Sequence, residues 1–184
     1  MNIGKLEKNL RDLILEEQIK LGYRKELLRL YYPLSSLNHL LGVNCTEAEM
    51  LERMKEFSEA TQEHFGGITA SSQKERFCIQ IPPEGVEYVH EHQEEDDFLV
   101  KFIETIARHG CTLKDVETLF AQYSDQVFEG SYAGDDFDYV FYFRDSKPND
   151  YRYCITFEGC HVIYHRFTPE DYVCLLYTSD AADE

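Results

Sequence analysis

The clearest hydrophobic pattern in the chain lies between Phe137 and Phe167, where apolar and polar residues alternate through FDYVFYFRD, YRYCITFE and CHVIYHRF. Period-two alternation predicts strands, and three such runs separated by residues 146–150 and by Glu158-Gly159 predict an antiparallel meander. Glu158-Gly159 suits a two-residue hairpin loop because glycine accepts a positive φ. With that loop, Phe157 is expected opposite Cys160, Ile155 opposite Val162 and Tyr153 opposite Tyr164. One face then carries Phe137, Tyr139, Phe141 and Phe143 beside Tyr151, Tyr153, Ile155 and Phe157, a core-forming surface. The other carries Arg152, Cys154, Thr156, His161, Ile163 and His165, a mixed set suited to a covering helix or to water.

Helical spacing governs most of the rest. Ile3, Leu6, Leu10, Leu13 and Leu21 step by three and four, which predicts a helix ending at Gly22. Residues 24–32 read as a second helix with Leu27, Leu28, Tyr31 and Tyr32 on one side, halted by Pro33. A short helix follows from Pro33 to Gly42. Thr46 with Glu49 forms a capping box ahead of the stripe Met50, Met54, Phe57, Thr61 and Phe65. Residues 68–71 and 76–81 are expected to pair as a hairpin, ended by Pro82-Pro83. An acidic linker, residues 84–97, leads into a helix through Phe98, Phe102 and Ile106 that stops at Gly110. Thr112 with Asp115 caps the next helix, and residues 124–136 read as a loop. Thr168-Pro169-Glu170-Asp171 is a helix start.

These elements predict an α+β protein: a helical N-terminal half with a small hairpin, then helices packed on an antiparallel sheet of three or more strands. Residues 1–81 form the helical region with its hairpin, winged-helix-like in order, and residues 82–173 carry the meander as one continuous domain with the first. Residues 174–184, CLLYTSDAADE, resemble the conceptual translation of a sequencing adapter and are expected to be a non-native tail, outside any functional reading.

Composition narrows the function classes. The 184 residues are 43% hydrophobic, enough for a core. No run approaches the length of a membrane span, and MNIGKLEKNL lacks the apolar core of a signal peptide, so no membrane association and a cytoplasmic location are expected. The six cysteines contain no CxxC pair and read as reduced packing residues. Formal net charge is -17. Residues 1–76 hold 11 Lys and Arg against 12 Asp and Glu, whereas residues 77–184 hold 7 against 23. Such a chain repels phosphate backbones unless a local basic face binds them, and only the N-terminal helices could supply one.

Two stretches carry a resemblance: KLGYRKELLRLYYPLSSLNHLLG, residues 20–42, and FDYVFYFRD through YCITFEGCHVIYHRFTPEDY, ending at Tyr172. Together they resemble the bacterial domain of unknown function 3877 family, over residues 1 to about 173, with YYPLSSL the most specific run. The resemblance implies no activity, cofactor or catalytic residue.

Candidate chemistry is sparse. His90 and His92, beside Glu91, Glu94, Glu95, Asp96 and Asp97, offer ligand types for a divalent ion, but without an HExxH or a cysteine pair the set reads as a solvated acidic linker, and neither metal nor cofactor is expected. His161 and His165 project from one strand face with Arg152 and Cys154 nearby, a candidate ligand-binding group, although packing between sheet and helix explains the same residues. No nucleophile motif and no glycine-rich phosphate loop is present. A winged helix needs a basic recognition helix, and the candidate carries Glu47, Glu49, Glu52, Glu56, Glu59 and Glu63 against Arg53 and Lys55. The polar groups converge on no catalytic set, so the sequence favours a non-enzymatic binding or regulatory module with a protein or small-molecule partner. A winged-helix nucleic-acid binder is the alternative, and a small hydrolase or metal protein using His161 and His165 the third reading.

Overall fold

The computed structural model describes residues 2–92, 97–132 and 136–173, with Asp97 described in its backbone alone. The chain forms two compact units, Met1–Glu95 and Asp96–Glu184.

In the first unit, α1 (Ile3–Leu21), β1 (Leu28–Pro33), α2 (Leu34–Leu41), α3 (Glu47–Ala60) and α4 (Gln62–Phe65) precede the hairpin β2 (Thr69–Gln73) and β3 (Arg76–Ile81), and α5 (Pro83–Glu91) follows it. The helical stripes point inward as their spacing dictates: Leu6, Leu10 and Ile14 of α1 meet Leu37, Leu40 and Leu41 of α2 and Met50, Met54 and Phe57 of α3 in one buried cluster. The Thr46–Glu49 capping box opens α3, and Gly42 closes α2 at φ +64 in the left-handed region.

Residues 24–32, expected as helix, instead supply β1. Leu28, Leu30 and Tyr32 pair with Ile81, Ile79 and Phe77, while Arg29 and Tyr31 point away from the core. Period-two packing against β3 wins over the helical spacing of Leu27, Leu28, Tyr31 and Tyr32 because it buries Tyr32 and packs the half-buried Leu28 and Leu30 against the core, on a sheet that needs a third strand. The three-stranded sheet runs in the order β1-β3-β2, all antiparallel. Its hairpin turns through Lys74 and Glu75, both at positive φ (52 and 60), the two-residue arrangement that matches strand twist. Leu34 N donates to Glu75 O (2.8 Å) and Glu75 N to Glu47 Oε2 (3.2 Å), tying the turn to the starts of α2 and α3. The acidic linker expected at 84–97 is helical over its first part: α5 buries Val86 and Val89 and leaves Glu84 and Glu91 exposed, so two valines one turn apart suffice to dock it.

In the second unit, α6 (Asp97–Ile106) and α7 (Leu113–Tyr123) lie on a four-stranded antiparallel sheet, β4 (Val127–Ser131), β5 (Tyr139–Phe143), β6 (Arg152–Glu158) and β7 (His161–Phe167), in sequence order. β4 falls where a loop was expected, and its backbone ladder to β5 outweighs a weak pattern. The last hairpin is displaced from the expected register by two residues. Phe157 pairs with Val162, Ile155 with Tyr164 and Tyr153 with Arg166, because the turn is Gly159-Cys160, with Gly159 at φ +63. A slip of two leaves every side chain on its expected face. Tyr153 and Tyr164 accordingly both reach Phe102, at ring-centroid separations of 4.8 and 5.0 Å, and Phe98, Phe120 and Phe143 complete the aromatic core under the helices. The opposite sheet face gathers Tyr132, Val140 and Cys154, with Tyr172 from a helical stretch at 169–173 beside them. Thr168 opens that stretch, its hydroxyl accepting from Asp171 N at 3.2 Å. Residues 174–184, with the expected non-native tail, lie outside the described residues.

Candidate functional site

The densest polar constellation of the first unit is built by α1, α4 and α5. One turn of α1 separates Glu7 from Arg11, and Glu7 Oε1 accepts from Arg11 Nη2 at 2.9 Å and Nε at 3.2 Å. The same oxygen lies 2.7 Å from His64 Nδ1. Tyr88 stacks between two imidazoles, His92 at 4.1 Å and His64 at 5.1 Å, and the Arg11 guanidinium lies 5.3 Å from its ring centroid. Burial disfavours the Arg11 cation, but hydrogen bonds and charge from Glu7 and Tyr88 outweigh it and hold its pKa above the ordinary value. Beside this cluster a cavity of about 360 Å³ is lined by Glu7, Lys8, Arg11, Asp12 and His92 among others. A carboxylate orienting an imidazole is the geometry of a proton acceptor. Here the carboxylate is already committed to arginine, so the arrangement serves equally to pin α4 and α5 onto α1.

A second surface lies on the outer face of the three-stranded sheet. Arg29, Tyr31 and Pro33 of β1 stand opposite Gln80, Cys78 and Arg76 of β3, which in turn face Thr69, Ser71 and Gln73 of β2. Tyr31 sits midway along the edge strand β1, 59% exposed, with the Arg76 guanidinium 5.7 Å from its ring centroid. Two concavities share Tyr31 and Arg76: one of about 470 Å³ toward Ser71, Gln73 and Cys78, the other of about 620 Å³ toward Ser35, Asn38 and Lys74.

The residues singled out in the second unit each have their own surroundings. His161, at the start of β7, lies 6.2 Å from the His109 ring, whereas His165 packs against Phe137 and Phe167. Four residues along a strand separate their backbone positions by about 13 Å. The Arg152 guanidinium covers the Tyr142 ring at 3.9 Å and donates to Asp150 O. Cys154 is fully buried, and burial pushes its thiol up to about 12, leaving it protonated and inert. His90 stacks flat on Tyr23 at 3.8 Å and His92 on Tyr88. Glu94, Glu95 and Asp96, also considered for a metal, lie outside the described residues, as does the Asp97 side chain. Among the described residues no three of His, Cys, Asp and Glu group so as to hold a metal ion, and no helix is long and apolar enough to cross a membrane.

Glu7, His64 and Tyr88 carried no mark in the sequence, being joined only by the packing of three helices; the local sign was the Glu7/Arg11 spacing. Tyr31 and Arg76 come together only once residues 28–33 are a strand.

A family model described as "Domain of unknown function, E. rectale Gene description (DUF3877)" matches residues 3–176, and the chain belongs to that family. No curated protein and no solved structure matches it.

Proposed function

We propose, for this member of a family defined by its sequence, a non-enzymatic binding or regulatory module of the bacterial cytoplasm whose first unit follows a winged-helix plan. The observation that carries the reading is β1. With it the chain runs helix, strand, helix, helix, the single turn of α4 and then the hairpin, and the strand joins the sheet in the order β1-β3-β2. α2 and α3 then stand as the helix pair and β2 with β3 as the wing.

In a duplex reader α3 would enter the major groove and meet phosphates with unpaired cations. Here Glu52, Glu56 and Glu59 are exposed along it, Arg53 is paired with Glu56 (2.9 Å) and Lys55 with Glu52 (2.6 Å). The charge supports a protein or small-molecule partner over duplex DNA. The engaged state of Glu7, the burial of Cys154 and the separation of His161 from His165 support binding over catalysis. Free thiols at Cys45, Cys78, Cys111, Cys154 and Cys160 accord with a reducing compartment.

Fluorescence anisotropy with a labelled 20-base-pair duplex at about 50 and about 200 mM salt tests the reading. The expected result is no binding at micromolar protein. Tight binding that weakens steeply with salt would replace this reading with that of a nucleic-acid binder.

A further inference from the structure

We infer that the outer face of the β1-β3-β2 sheet is a nucleotide-docking surface, with Tyr31 the stacking platform for the base and Arg76 and Lys74 the phosphate partners. The inference rests on reading the chain as a binding module and names the surface and ligand class.

A tyrosine 59% exposed on the edge strand of a sheet leaves most of an aromatic ring in water. A planar ring laid on it recovers that area and adds stacking, which is tolerant of base identity. Tyr31 and Arg76 both line the two concavities, so a ligand resting on the ring reaches either side with the guanidinium beside it.

Charge selects the ligand's other half. In a chain of net charge -17 the outer face bears Arg29 and Arg76, with Lys74 at the hairpin tip, and among the described residues no carboxylate pairs with any of the three. The concavity toward Lys74 is lined by Lys74, Arg76 and a single carboxylate, Glu75. α2 begins at its edge; Pro33, at the cap position, supplies no side-chain acceptor and Leu34 N is taken by Glu75 O, so what the helix adds on this side is the positive end of its dipole. Ser71, Gln73 and Asn38 offer hydrogen-bonding groups around the ring and the cations.

The acidic balance elsewhere limits the ligand's length. Charges are screened over about 8–10 Å at physiological salt, so a mononucleotide seated on Tyr31 experiences the local cations. Glu47, whose carboxylate accepts from Glu75 N at 3.2 Å, bounds the cationic patch at the hairpin turn, and a long polyanion would meet it and the acids that follow it on α3. An acidic peptide would satisfy the cations but leave the Tyr31 ring without a flat partner.

The test is calorimetric titration of the full chain with AMP and GMP, beside arms with adenosine, inorganic phosphate, a single-stranded dodecanucleotide and a hexaglutamate peptide. Binding of the mononucleotides is expected at micromolar to sub-millimolar Kd, with adenosine and phosphate each weaker. Tyr31→Ala should weaken it about tenfold, Arg76→Gln should weaken AMP while sparing adenosine, and Lys101→Gln in the second unit should change nothing. The two outer-face variants replace exposed side chains, and unchanged circular dichroism melts would show that their effects are local. No mononucleotide binding, binding indifferent to Tyr31→Ala, or tighter binding of the dodecanucleotide or hexaglutamate would overturn the inference and leave the binding-module reading standing. Chromatography of the recovered nucleotide separates the two: turnover of AMP at this surface would keep the site and discard the non-enzymatic reading.

Discussion

A Cβ placed on Gly85 would lie 2.8 Å from the Cα and the carbonyl carbon of Phe65, and nearer still to the Phe65 oxygen. α5 approaches the end of α4 this closely because residue 85 has no side chain. The neighbour is backbone, which cannot swing aside as a side chain would. The Gly85→Ala variant is therefore expected to push α5 off Phe65 and to lower stability by about 1–3 kcal/mol, the usual cost of overpacking. Urea unfolding followed by circular dichroism would show the midpoint moving down, and an unchanged midpoint would show that the contact gives way freely.

Burial decides the reactivity of the thiols. Cys154 is fully buried with its thiol pushed up to about 12, whereas Cys45, Cys78 and Cys160 are partly exposed. The nucleophile is the thiolate, so Cys154 stays protonated throughout the neutral range. Brief iodoacetamide treatment read by mass spectrometry should modify the three partly exposed thiols first and reach Cys154 only in urea. Because the folded pKa is raised, the contribution of Cys154 to stability is full below the unfolded thiol value, about 8.5, and declines as pH rises toward 12. The stability difference between the wild-type protein and Cys154→Val should shrink over that interval.

What could be read from the sequence follows how local each signal is. The Thr46–Glu49 and Thr112–Asp115 boxes involve residues three apart, and both form. The faces of the meander were legible although the register was not, since a slip of two residues preserves facing. β1 is hidden from the pattern because Leu27, Leu28, Tyr31 and Tyr32 satisfy a helical spacing while Leu28, Leu30 and Tyr32 satisfy a strand; only β3, about 50 residues away, decides between them. VFEGS offers β4 two apolar residues and a glycine, too little to show without the β5 ladder. The Glu7–His64–Tyr88 group and the Tyr31–Arg76 surface depend on contacts between distant segments, which periodicity cannot show.

Asp115 links the second unit to pH. Its carboxylate accepts from Thr112 Oγ1 at 2.6 Å and Thr112 N at 2.8 Å, and these bonds hold its pKa below the ordinary aspartate value. A depressed folded pKa contributes stability that is present above the unfolded value, about 3.9, and is lost as pH falls through the folded one. Asp115→Asn should consequently lower the melting temperature at neutral pH, and the gap from wild type should close as pH drops below about 4. A gap that stayed constant across that range would mean that the charge on Asp115 contributes nothing beyond its shape.

The acidic face of α3 offers a gain-of-function test of the winged-helix plan. Glu52, Glu56 and Glu59 are exposed, and two of them neutralise Lys55 and Arg53. Replacing all three by lysine would turn the face cationic and release both partners, without touching Met50, Met54 or Phe57 in the core. If α3 stands where a recognition helix stands, that variant should acquire duplex DNA binding with a log–log salt slope of roughly -3 to -5, each phosphate contact contributing about -0.9. Glu104→Lys with Glu117→Lys in the second unit controls for indiscriminate attraction and is expected to bind far more weakly. Equal binding by the two variants would mean that charge alone explains the affinity, and the helix pair would lose its claim to a groove-reading geometry.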